Sequence, residues 1–185
     1  RRMIYDLPLR TAGVLAGLFL LLVSVPGIVL PGAVRSALAK LPRSKVGGII
    51  LLTLAFIWSF WLLATMEMGE FSGFRRPLMI ALPIGYVLVL RFVNEFLAVR
   101  ALGILFLLGA EPLLEAAFLR YEPSRLLVSV FAYILIVVGL FWVTMPYLLR
   151  DYIAWASRST GVWLSLNALA LLYGAAILFC AFTQY

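Results

Sequence analysis

Six polar side chains interrupt one long apolar stretch: between Pro77 and Phe118 stand Arg91, Asn94, Glu95, Arg100, Glu111 and Glu115. An unpaired charge at the centre of a bilayer costs roughly 2.5 kcal/mol or more, so ionisable groups in such a run either pair with one another or line a path for protons or ions. The stretch is 42 residues long, enough for two membrane helices. If these form a hairpin turning near Ala101, Arg91 lies ten residues before the turn and Glu111 ten after it, both about 15 Å deep and level with each other. At 3.6 residues per turn Arg91, Asn94 and Glu95 share one face of the first helix, while Glu111 and Glu115 share a face of the second through i, i+4 spacing. The expected feature is an intramembrane polar seam of Arg91, Asn94, Glu95, Glu111 and Glu115.

Three kinds of chemistry compete for that seam. Arg91 with Glu111 and Glu95 suits buried ion pairs that lock helices together or hold a neighbouring subunit. Glu111 or Glu115 alternating between protonated and charged forms suits transport. Alternatively, Glu111-Pro112 and Glu122-Pro123 each have the form of an N-cap followed by proline at the first helical position, which would start new helices near an interface.

The rest of the chain must position these groups, and its composition sets the medium. It has 185 residues, 65% hydrophobic and 12% charged, with a mean hydropathy of +1.10. Soluble domains are about half apolar and one quarter charged, so this chain is a single integral membrane domain, residues 1–185, of all-α class. At about 20 residues per span there is room for about six membrane segments and no separate aqueous domain.

Several function classes fall away. There is no histidine, hence no usual haem, zinc or copper ligand and no ordinary acid-base group near neutral pH. Cys180 is the only cysteine, so no internal disulfide or Cys-x-x-Cys pair exists, and it reads as a packing residue. Both lysines, Lys40 and Lys45, lie in one basic loop, which excludes a retinal Schiff base inside a span. Asp6 and Asp151 sit at helix edges and no nucleophile-elbow glycine-serine motif, phosphate-binding glycine loop, metal-ligand cluster or internal repeat is detectable. No enzyme activity, cofactor or metal is expected.

The first apolar stretch, Ala12 to Gly32, reads as a mature helix rather than a signal peptide, since Arg35 lies between it and the small-residue triplet at Ala37 to Ala39. Pro26 and Pro31 leave an unbroken helix of about 21 Å up to Val25, so the segment is expected either to kink and cross or to re-enter as a hairpin. In the connector Ala33 to Lys45, Val34, Ala37, Leu38 and Leu41 fall at helical spacing, and Arg35, Lys40, Arg43 and Lys45 would lie near anionic lipid headgroups. Val46 to Met66 is a charge-free span with Trp58 and Trp61 near its far end. Leu126 to Leu149 and Gly161 to Phe182 are further spans, separated by Arg150-Asp151 and the interfacial aromatics Tyr152 and Trp155. Helix packing is expected at Gly13-x-x-x-Gly17 and Ala170-x-x-x-Gly174, with Asn167 bonding to a neighbouring helix.

The positive-inside rule does not orient the chain. With six spans, Arg35, Lys40, Arg43, Lys45, Arg91, Arg100, Arg150 and Arg158, eight basic residues, oppose Arg1, Arg2, Arg10, Arg75, Arg76, Arg120 and Arg125, seven. A re-entrant first segment would make the count eleven against four. The net charge of +7 is spread over several loops, which fits a bilayer partner with anionic lipids and not nucleic acid. The reading is a non-enzymatic subunit or scaffold of a bacterial cytoplasmic (inner) membrane, packed against other membrane subunits or copies of itself. The alternative is a small transporter or channel for protons, ions or a small solute that uses the Arg/Glu seam.

Overall fold

A computed structural model describes residues 5–93, 95–118 and 120–184. They form an all-α bundle: α1 (Leu9–Val29), α2 (Pro31–Lys40), α3 (Lys45–Thr65), α4 (Arg75–Phe92), α5 (Leu97–Ala117), α6 (Arg125–Thr144), α7 (Tyr147–Ser157) and α8 (Thr160–Thr183). Short 3-10 turns at Leu41–Arg43 and Gly69–Phe74 lead into α3 and α4. Six segments, all but α2 and α7, are long and apolar enough to cross a membrane, and the chain is a membrane protein.

The first segment runs as one helix. It starts at Leu9, directly after Pro8, and continues through Pro26 to Val29, 21 residues or about 31 Å. Pro26 removes one backbone hydrogen bond, but the helix continues past it and the Leu30 amide bonds back to the Pro26 carbonyl, so α1 reaches bilayer length without re-entering. The turn comes at Leu30, and Pro31 at the first helical position opens α2.

Adjacent backbones meet through glycine. Gly17 of α1 faces Gly174 and Leu178 of α8, Gly103 of α5 faces Gly139 of α6, and Gly48 of α3 faces Leu97 and Ala98 of α5. These contacts make α1 and α8 antiparallel, α5 and α6 antiparallel, and α3 and α5 parallel. The main core joins α1, α5, α6 and α8 around Ala12, Ala16, Ala110, Leu113, Phe131 and Ile177. Helix α4 differs: none of its residues is buried, and its inward side chains Tyr86, Val89 and Leu90 meet only the smaller cluster around Leu52, Leu97 and Ala101.

Both short helices cap the same end of the bundle. Leu38 and Leu41 pack with Leu149 and Ile153 of α7, Val99 of α5, Phe96 and Trp142. This pairing corrects the expectation that the chain holds no internal repeat. Pro31, Arg35, Ala39, Arg43 and Ser44 recur as Pro146, Arg150, Ala154, Arg158 and Ser159, every pair at one constant offset in sequence. Val34 and Leu38 recur as Leu149 and Ile153 at the same offset, so the apolar faces correspond too. Span, short helix and span therefore occur twice in the same direction, as α1–α2–α3 and α6–α7–α8, with the α4–α5 hairpin between them.

Candidate functional site

The α4–α5 hairpin decides where the seam residues go. Helix α4 ends at Phe92 and α5 begins at Leu97, so the turn does not fall near Ala101, and Phe96 takes a left-handed conformation (φ 55°) with its ring in the cluster beneath α2 and α7. Arg91 therefore lies in the last turn of α4, while Glu111 lies fourteen residues into α5, about 20 Å further along the bundle axis. The expected level placement is corrected: among the described residues Arg91 makes no ion pair with Glu95, Glu111 or Glu115. Arg91 and Glu95 are exposed at the α2–α7 end. Asn94 lies outside the described residues. The capping alternative is corrected at Pro112, which sits buried in the interior of α5. At Glu122-Pro123 the chain does begin a helix, with Ser124 as N-cap and Arg125 as first residue of α6.

Glu111 and Glu115 belong to the opposite end, on the last two turns of α5. There the segment before α1 crosses from α3 to α5. The Tyr5 backbone N–H donates to Glu115 Oε2 at 3.2 Å, and Trp58 Nε1 donates to the Tyr5 hydroxyl at 2.6 Å. The Tyr5 ring also lies 5.5 Å from that of Trp61. Burial holds the Tyr5 phenol above its ordinary pKa; the Trp58 hydrogen bond lowers it, and the nearby Glu111 and Glu115 carboxylates raise it further. This latch was invisible in sequence, because nothing in a tyrosine three residues before a proline points to a glutamate over a hundred positions away.

Of the residues expected at headgroups, Lys40, Arg43 and Lys45 are exposed. Arg43 and Lys45 line a hollow of about 320 Å³ with Glu95 and Phe96. Arg35 is corrected: it is half-buried, with its guanidinium 5.0 Å from the Trp163 ring centroid of α8. That cation–π contact clamps α2 onto the bundle. Its repeat counterpart Arg150 instead pairs with exposed Asp151 at 2.9 Å.

Among the packing residues, Gly13, Gly17 and Gly174 are buried and Ala170 is half-buried. Asn167 corrects its expectation: its Nδ2 donates to the Trp163 carbonyl on its own helix at 2.8 Å. The interhelical bond comes from the Trp163 indole, which donates to the Gly27 carbonyl at 2.8 Å. Asn167 instead fills the space beside Gly27, where a Cβ would lie 2.1 Å from its Oδ1. Sequence reasoning also missed Gly48, Gly103 and Gly139, since none of the three belongs to a small-x-x-x-small pair with another glycine.

A second hollow is apolar. It measures about 600 Å³ and lies between α3, α4 and α5, from Met66 and Leu78 to Leu52 and Val89. No group of three or more metal-ligating side chains occurs among the described residues. In comparisons with known proteins, no family, no curated protein and no solved structure matches the chain.

Proposed function

We propose that this chain is a non-enzymatic integral membrane subunit or scaffold that packs within a larger assembly in a bacterial cytoplasmic membrane. The observation that carries this reading is the sorting of charge to the two ends of the bundle. Between Arg100 and Glu111, about 16 Å of α5, there is no Asp, Glu, Lys or Arg, and the interiors of α1, α3, α4, α6 and α8 hold none. A carrier that alternates access needs polar contacts near the midplane, and buried charge there is the usual mark of an ion path. Glycine crossings supply tight, fixed helix pairs instead, which suits a structural role.

Reconstitution tests this. Liposomes containing only this chain are expected to show no proton or cation flux above empty liposomes, and gentle extraction from native membranes is expected to yield it in fixed stoichiometry with other chains or with itself. Flux that falls on Glu111→Gln or Glu115→Gln would overturn the reading in favour of transport.

A further inference from the structure

We infer that the cleft between α3, α4 and α5 is a binding site for one acyl chain of an anionic phospholipid, with the lipid phosphate held by Arg75 and Arg76. The inference goes beyond the subunit reading and stands independently of it. Its first support is shape. Along α3 the cleft runs from Leu52 to Met66, fourteen residues or about 21 Å, and opens sideways because α4 stands off from α5 with no buried residue. At the inner end Tyr86 and Thr53 share a hydrogen bond of 2.8 Å, and the Tyr86 ring stacks on Phe56 at 4.6 Å, so this polar pair is satisfied and asks nothing of a ligand.

Size selects the occupant. A helix about 10 Å across would enter this open cleft only in part, from its side. A single hydrocarbon chain lying along the bundle axis fits. Gly85 lines the cleft, and a Cβ added there would meet nothing within 4 Å, so the inner face of α4 is left open.

Charge selects the headgroup. At the mouth, Met66 ends the cleft and its carbonyl accepts a hydrogen bond from Arg75 Nη2. Arg75 Nε is buried with no hydrogen-bond partner among the described residues, and Arg76 is exposed beside it. Arginine guanidinium favours phosphate through paired, charge-assisted hydrogen bonds. Glu67 and Glu70 are exposed in the preceding connector. Exposed Phe71 and Phe74 mark the headgroup level.

The test uses the full chain in lipid nanodiscs containing phosphatidylglycerol with a photoactivatable group on one acyl chain. Crosslinks are expected at Leu63, Leu82 and Ile104, several-fold more than with phosphatidylcholine carrying the same group. Gly85→Leu, which fills the cleft from a position with room, should remove them without lowering the melting temperature. Arg75→Gln with Arg76→Gln, or Arg76→Gln alone should the pair unfold, should reduce labelling to the phosphatidylcholine level. Excess inorganic phosphate should leave labelling unchanged. Equal labelling by the two lipids, label spread evenly over outward-facing Leu22, Val29 and Leu172, a crosslinked dimer through the cleft, or displacement by phosphate alone would each overturn the inference.

Discussion

Gly103 on α5 and Gly139 on α6 face each other so closely that a Cβ on either would lie 2.8 Å from the carbonyl oxygen of the other. The obstacle on each side is backbone, which cannot swing away as a side chain does. Gly139→Ala is therefore expected to destabilise the detergent-solubilised protein by about 1–3 kcal/mol. Gly109→Ala, on α5 where nothing stands within 4 Å, should be neutral or stabilising by up to about 1 kcal/mol. Thermal melts of the two variants check this; equal losses would mean that helix propensity, not the crossing, controls stability.

Gly27 and Asn167 should be coupled. A methyl at position 27 would strike the Asn167 amide on α8, whereas Asn167→Ala opens that space. Gly27→Ala alone is expected to cost about 1–3 kcal/mol, and most of that cost should vanish in an Asn167→Ala background. A double-mutant cycle read by thermal unfolding measures the coupling. Strict additivity would show that the two residues do not share the space.

Arg91 and Glu111 should behave in the opposite way. They sit near opposite ends of the α4–α5 hairpin, about 20 Å apart along the axis, beyond the range at which side chains usually couple. Arg91→Gln and Glu111→Gln are expected to add within about 0.5 kcal/mol. Coupling of 1 kcal/mol or more, measured by the same kind of cycle, would return the two groups to one level in the membrane.

The contrast between these pairs shows what the sequence could and could not carry. The extent of α3 was legible, because Val46 to Met66 holds no charge and Ser44, whose hydroxyl accepts from the Gly47 amide at 3.0 Å, is a good N-cap. The hairpin was not. Setting the turn at Ala101, midway between Arg91 and Glu111, puts those two charges at one level, but the chain turns where Arg91 and Glu95 can reach water and where Phe96 finds a packing site for its strained backbone. A shift of several residues in the turn moves every polar residue along the membrane normal, and the seam dissolves. Pro112 misled in the same way: proline often opens a helix, yet the packing of Ala110, Leu113, Ala116 and Ala117 into the main core carries α5 through it. The matched prolines, arginines and serines of α2 and α7 were legible in principle, but their spacing acquires meaning only once both helices lie at one end of the bundle.

Tyr5 gives a prediction with a defined direction in pH. Its phenol is protonated at neutral pH in both the folded and the opened state, so the latch to Trp58 is intact there. In the opened segment the phenol ionises near its ordinary value of about 10, while in the latched state burial and the Glu111 and Glu115 carboxylates hold it protonated to higher pH. A group whose folded pKa is raised loses its contribution as pH rises from the unfolded value through the folded one. The latch should therefore stay closed up to about pH 10 and weaken above it, releasing the segment before α1 while the bundle remains folded. Fluorescence of Trp58, in a variant whose other four tryptophans are phenylalanine, should stay flat and then change above about pH 10. Tyr5→Phe should remove that alkaline step, with a loss of about 1 kcal/mol or less for the missing hydrogen bond. An alkaline step of the same size that persists in Tyr5→Phe would show that the phenol is not the group that opens the latch.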